Sequence, residues 1–155
     1  MKYPKTKEVL NNFVADLSQG VTKIHQVHWY MRGVGFMKFH PLMDEYMDEL
    51  NGYLDEIAER LIALDGDPYS TLEEFVEHSC ISSEVGDWNK TMQDQLEVVI
   101  KVFRYLADKF KEGIEISGEE GEDVSQDIFI GALGSLQKHI WMLEAHLDRA
   151  PHQDV

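Results

Sequence analysis

Along four long stretches of this chain, apolar residues recur every three or four positions, and nothing alternates convincingly at a period of two. A chain patterned this way must bury one stripe on each of several helices against its neighbours. The first stripe is Leu10, Phe13, Val14, Leu17, Val21, Ile24, His28 and Met31, and it stops near Gly33. The second is Met43, Met47, Leu50, Leu54, Ile57 and Leu61; Pro41 suits a first helical turn and sets His40 at the helix start. Ser70 and Glu73 have capping-box spacing for a short helix after "DGDPYS". The third stripe is Trp88, Met92, Leu96, Val99, Phe103, Leu106 and Phe110. "SGEEGED" then interrupts before Phe129, Leu133, Leu136, Ile140, Leu143 and Leu147. These patterns predict helices over roughly 7–33, 41–64, 71–78, 87–113 and 122–148.

Link lengths choose the topology. Short connections join the first long helix to the second and the third to the fourth, so each pair is antiparallel. The link between the second and third is long and holds its own short helix. The expected fold is all-α, an antiparallel four-helix bundle with a long crossover, the connectivity of ferritin-like bundles. At 155 residues, 43% of them hydrophobic and 28% charged, the chain fits one domain over 1–155 with a full core. No run is apolar and long enough to span a bilayer, and the first twenty residues hold no apolar leader core. Cys80 is the only cysteine, which excludes an intrachain disulfide and fits a cytoplasmic location. The formal net charge of -15 repels phosphate backbones and attracts cations.

Two acidic pairs stand off the second apolar stripe. His40 with Asp44, and Asp55 with Glu59, both have the i, i+4 spacing that stacks side chains on one helical face. All four fall within roughly one 100° sector, displaced about 110° from the stripe's centre, so they face away from their own core. The pairs are separated by about 22 Å along the axis, at a rise of about 1.5 Å per residue. Metal–ligand bonds are near 2 Å, so one chain cannot bring both pairs to one ion. A two-fold axis near Glu49 and Leu50 would lay Asp55 and Glu59 beside the other copy's His40 and Asp44, making two equivalent shared sites. Asn51, Gly52 and Ala58 are small enough beside this face to allow close helix approach. His28, on the first helix, can complete the cluster with His40 and Asp44. Imidazole plus carboxylate oxygens without thiolates suits iron rather than structural zinc.

The stretch "HQVHWYMRGVGFMKFHPLMDEYMDELNGYLDEIAERL" carries this set and closely resembles the Dps family, the mini-ferritins that include Dpr-type peroxide-resistance proteins. The family's motif is His, eleven residues, His, three, Asp, ten, Asp, three, Glu, met here by His28, His40, Asp44, Asp55 and Glu59. "DGDPYSTLEEFVEHSCI" resembles the family's crossover and "KHIWMLEAHL" its last helix. The resemblance implies a hollow homo-oligomer of twelve subunits and a ferroxidase activity at two-fold interfaces. Fe(II) is oxidised there, with hydrogen peroxide preferred over oxygen, and stored as ferric mineral, protecting against oxidative damage. It also implies that Asp123 and Asp127 line an iron-entry pore; on spacing alone they complement a helix dipole. A third pore acid of some relatives is Gly118 here, with Glu119 and Glu120 close by to compensate. Trp29, next to His28, is the candidate for trapping a stray oxidising equivalent, with packing as the ordinary role for it and for Trp141.

Other groups near this face carry weaker signals. His25 precedes His28 by one turn and could hold a second metal ion, although an interface hydrogen bond is the commoner role for such a residue. Glu45 and Asp48 could act as outer ligands. The competing function is a DNA-condensing nucleoid protein with incidental metal binding. The chain offers only Lys2, Lys5 and Lys7 before its first helix and ends in the non-basic "APHQDV", so direct DNA binding is not expected. A conventional ferritin, with Glu-x-x-His motifs inside one bundle, is excluded because no Glu here is followed by His three residues later.

Overall fold

A computed structural model describes residues 1–154. Its elements are α1 (Pro4–Tyr30), α2 (Phe36–Ala63), α3 (Leu72–His78), α4 (Met92–Glu120) and α5 (Asp123–His146), with no strand among the described residues. Helix α1 packs along α2, α4 packs along α5, and contacts of α1 with α4 and of α2 with α5 close the bundle. The crossover from α2 to α4 carries α3 against α1. This is the all-α ferritin-like bundle that the link lengths predict. Among the described residues no helix is long and apolar enough to cross a membrane.

The stripes form the core. Leu10, Leu17, Ile24, Met43, Leu50, Ile57, Leu96, Phe103, Phe110, Phe129, Leu136 and Ile140 are all essentially inaccessible to solvent. Phe13 stacks on Phe110 with ring centroids 4.2 Å apart, and Phe129 leans on Phe13 at 5.3 Å. Such aromatic pairs add about 0.5–1.5 kcal/mol beyond their buried area. Gly113 is what lets α5 come so close: a Cβ there would sit 3.0 Å from the Phe129 ring. The crossover is fixed by a buried carboxylate, Asp16, only 3% exposed. It accepts hydrogen bonds from Ser79 Oγ at 2.8 Å, Cys80 N at 3.1 Å and Tyr105 OH at 2.8 Å. A buried carboxylate satisfied three times over holds its surroundings in register rather than destabilising them.

Helix ends depart from the sequence expectation, each for a local reason. Helix α1 starts at Pro4 rather than 7, and its end at Tyr30 precedes Gly33, which turns the chain at φ 111°. Its N-cap Tyr3 offers no side-chain cap; instead Glu120 Oε1 and Oε2 accept from Lys5 N and Thr6 N at 3.1 and 2.8 Å. Helix α2 begins at Phe36, five residues before Pro41, because Gly35 at φ 94° starts it and Phe39 is buried in the core. Pro41 is therefore inside the helix, where it removes the bond to the exposed Met37 carbonyl, and His40 lies in the second turn. The cap of α3 is Thr71, which accepts from Glu74 N at 3.2 Å, one residue on from the expected Ser70–Glu73 pair. Helix α4 begins at Met92 behind a Thr91–Asp94 capping box, so Trp88 lies outside it, 57% exposed and packed on Tyr30. It continues through Gly118 and stops at Gly121, φ 71°, so "SGEEGED" interrupts only at its second glycine. Glu122 then caps α5.

Candidate metal centre

Helices α1 and α2 bring His28 and His40 face to face. Their rings stack with centroids 3.7 Å apart and planes 10° from parallel, and Phe36 stacks on the other side of His40 at 4.7 Å. Phe36 is one helical turn before His40, a relationship hidden from the sequence reading by starting the helix at Pro41.

Each imidazole is tied to the other's backbone. His28 Nδ1 is 2.7 Å from the His40 carbonyl, and His40 Nδ1 is 2.8 Å from the His28 carbonyl. A carbonyl only accepts, so in both rings Nδ1 carries the proton. In the neutral rings both Nε2 atoms then hold lone pairs, the state a metal ligand needs, fixed by the hydrogen bond at the other nitrogen. His28 Nε2 is 3.6 Å from Asp44 Oδ1, too long for a hydrogen bond and short enough for both atoms to reach a common cation. His28 is 8% exposed, whereas the Asp44 side chain is 61% exposed. The imidazole is thus held against the protein while the carboxylate faces outward.

Asp55 and Glu59 stand further along α2, both exposed, while Ile57 and Leu61 between and after them are buried. The rise of the helix separates the two pairs by about 22 Å. Among the described residues no group of three or more His, Cys, Asp or Glu draws together within one chain to hold a metal ion. Between the pairs, Gly52 is exposed, and a Cβ there would meet nothing within 4 Å.

The remaining candidates are dispersed. Asp123 and Asp127 are exposed on the first turns of α5. Glu120 is engaged in capping α1, so it is committed rather than free as a third acid, and Glu119 is exposed. Trp29 is 60% exposed and stacks on His25 at 3.7 Å, not on His28. Glu45 and Asp48 are exposed. Trp141 is 51% exposed on α5.

One polar cluster escaped the sequence reading. On the α2–α5 seam, Glu49 accepts from His139 Nε2 at 3.1 Å and from Ser135 Oγ at 3.0 Å. The hydrogen bond from His139 holds the Glu49 carboxyl below the usual carboxylate range, against the opposing effect of burial. Ser135 and His139 have the i, i+4 spacing that could have signalled it, but their acceptor comes from another helix.

Residues 7–152 match the family model of the ferritin-like domain. A DNA protection during starvation protein of Streptococcus suis is 57% identical over 146 residues, covering 94% of this chain and 85% of that protein. The structure of Dps from Listeria innocua soaked with cobalt superposes with a TM-score of 0.93 at 44% identity, covering 94% of each chain. A Listeria innocua Dps variant with two histidines replaced by glycine superposes at 0.92 with 42% identity, covering 94% of this chain and 96% of that one. With this fold, this matched length and these identities, the chain belongs to the Dps family of ferritin-like proteins.

Proposed function

We propose that this protein is a ferroxidase and iron store of the cytoplasm. Twelve copies form a hollow shell, and Fe(II) is oxidised at sites shared between two α2 helices related by a two-fold axis. The observation that carries this reading is the split donor set. At one end of α2, His28 stacks on His40 and lies 3.6 Å from Asp44, and Asp55 and Glu59 are exposed about 22 Å away on the same helix. Antiparallel pairing of two such helices unites one chain's His28, His40 and Asp44 with the other's Asp55 and Glu59, twice over. The open space beside Gly52 supports close approach there. The histidines altered in the Listeria innocua variant are twelve positions apart, the separation of His28 and His40.

Iron is the substrate. Two Fe(II) ions give up one electron each, and one hydrogen peroxide takes both electrons and two protons to become two waters. No one-electron reduction of peroxide is involved, so no hydroxyl radical is released. The deprotonated Nε2 atoms and carboxylate oxygens bind Fe(II) and stabilise Fe(III) more strongly, which favours the oxidised product. Asp123 and Asp127 would draw cations toward a pore, and Trp29 would take up a stray oxidising equivalent. The relatives' name speaks of DNA protection, and removing Fe(II) with peroxide protects DNA without touching it. A net charge of -15 opposes direct binding.

The test is complementation between damaged chains. One chain carries His28→Ala and His40→Ala, the other Asp55→Ala and Glu59→Ala. Each assembled alone should lose rapid peroxide-driven Fe(II) oxidation. Co-assembled in equal amounts with random pairing, half of the dimers are mixed and each holds one intact site. About a quarter of the unmodified activity should therefore return. Intact mixed shells with no recovery would refute the shared site, since an intrachain site leaves every chain damaged.

A further inference from the structure

Between α1, the end of the crossover and α4 lies a cleft of about 480 Å³ that shares no residue with the α2 ligand set. Its apolar lining is Ile81, Val98 and Val102. Ile81 and Val102 seat over Gly20 of α1, where an added Cβ would meet their methyl groups at 3.6 and 3.7 Å. Above this lining stand three lysines, Lys23, Lys90 and Lys101, and one carboxylate, Glu84.

Glu84 is already spoken for. Lys23 Nζ donates to its Oε2 at 3.0 Å and to Ser82 O and Oγ at 2.9 Å, with the lysine side chain only 17% exposed. That triple contact orders the rim of the crossover. Among the described residues, Lys90 and Lys101 have no carboxylate within 4.0 Å, and Lys90 is half-buried. A chain with 29 acids and 14 basic residues could pair every lysine it exposes. Three lysines thus stand around the one acid of the lining, with Asp94 also near enough to Lys90 to act on it, so an anion seated in the cleft meets net positive charge.

We propose that this cleft binds a small phosphate-bearing organic anion of nucleotide size. A phosphate monoester carries about two negative charges at neutral pH, matching the two lysines that make no close ion pair. An apolar lining with a few placed cations is the usual make-up of a small-molecule site, and the volume falls in the range of about 300–1,000 Å³ for such sites. The apolar lining seats the organic body, and Lys90 and Lys101 hold the phosphate. This site is separate from the iron chemistry and stands or falls without it.

Isothermal titration of the assembled protein with adenosine monophosphate, inorganic phosphate and adenosine tests this. The nucleotide should bind saturably, near one per chain, with a Kd below about 1 mM. It should bind tighter than inorganic phosphate, and adenosine should not bind. Lys90→Ala and Lys101→Ala should each weaken it about tenfold, and Lys7→Ala, outside the cleft, should leave it unchanged. Glu84→Gln removes the one acid and should tighten binding several-fold, a gain that a damaged fold cannot produce. No saturable binding, indifference to the two lysine substitutions, or weakening by Glu84→Gln would overturn the proposal. So would a Lys101-dependent affinity for a DNA duplex with none for the nucleotide, which would make the cleft a nucleic-acid contact.

Discussion

His28 and His40 donate their Nδ1 protons to each other's main-chain carbonyls, at 2.7 and 2.8 Å, so the two helices carrying them are cross-tied at the candidate metal centre. The rings stack within the same tie, with Phe36 closing the outer face of His40. Orientation and tautomer are thus set before any cation arrives, which lowers the cost of binding one.

Removing either ring should be felt in the chemistry first. His28→Ala and His40→Ala are each expected to slow peroxide-driven Fe(II) oxidation by about tenfold to a hundredfold. Phe36→Leu, which removes only the stacked neighbour of His40, should cost a smaller factor. Stopped-flow absorbance on variants that sediment like the parent checks this; a rate within twofold of the parent for either alanine variant would remove that histidine from the ligand set.

Gly52 separates folding from assembly. Its added side chain meets nothing in the single chain, and leucine has the better helix propensity by about 1 kcal/mol. Gly52→Leu should therefore leave helicity intact while blocking the approach of a second α2. Sedimentation should shift from about twelve times 17.9 kDa to smaller species with unchanged far-ultraviolet circular dichroism. A full-sized shell in this variant would place the two-fold contact elsewhere.

Glu122 is a structural keystone at the start of α5. It is 4% exposed, accepts from Arg60 Nη2 at 2.6 Å and from Ser125 N at 2.8 Å, and so caps the helix while neutralising a half-buried guanidinium. Glu122→Ala leaves both donors without a partner and should cost about 2–4 kcal/mol. Thermal unfolding should show a fall in Tm on the order of 10 °C. Glu122→Gln, which can still accept at the cap, should lose less.

The Glu49–His139 contact gives the fold an acid-sensitive seam. Its carboxyl is held below the ordinary value of 4.5, chiefly by the His139 hydrogen bond. A lowered carboxyl contributes stability that is fully present above that ordinary value and drains away as the pH falls through the lowered one. Glu49→Gln should be less stable than the parent by about 1 kcal/mol near neutral pH. The gap should close on acidification below pH 4.5, as followed by thermal melts across pH 3 to 7. A gap that stays constant over that range would show that ionisation of Glu49 has no part in it.

The sequence alone determined whatever depends on a helix's own geometry. The stripes Leu10 to Ile24, Met43 to Leu61 and Leu96 to Phe110 line the core because 3.6 residues per turn repeats without reference to the rest of the chain. For the same reason the sector holding His40, Asp44, Asp55 and Glu59, and the distance between its two pairs, could be read directly. Tertiary structure decided what depends on partners far away in the chain. Glu120 caps α1 across 114 residues, so that cap leaves no mark near the helix start, where Pro4 at the first helical position is the one local signal. Trp88 fits a helical stripe but is drawn onto Tyr30, and the chain enters its helix only at the Thr91 cap. Pro41 reads as a first turn, yet Phe39 is buried against His146 of α5, and the helix extends backwards past the proline to hold it there. The mutual tie of His28 and His40 exists only once α1 and α2 pack together. Helical register is a property of the local backbone, whereas a cap, a stack or a paired imidazole needs atoms that only folding brings within reach.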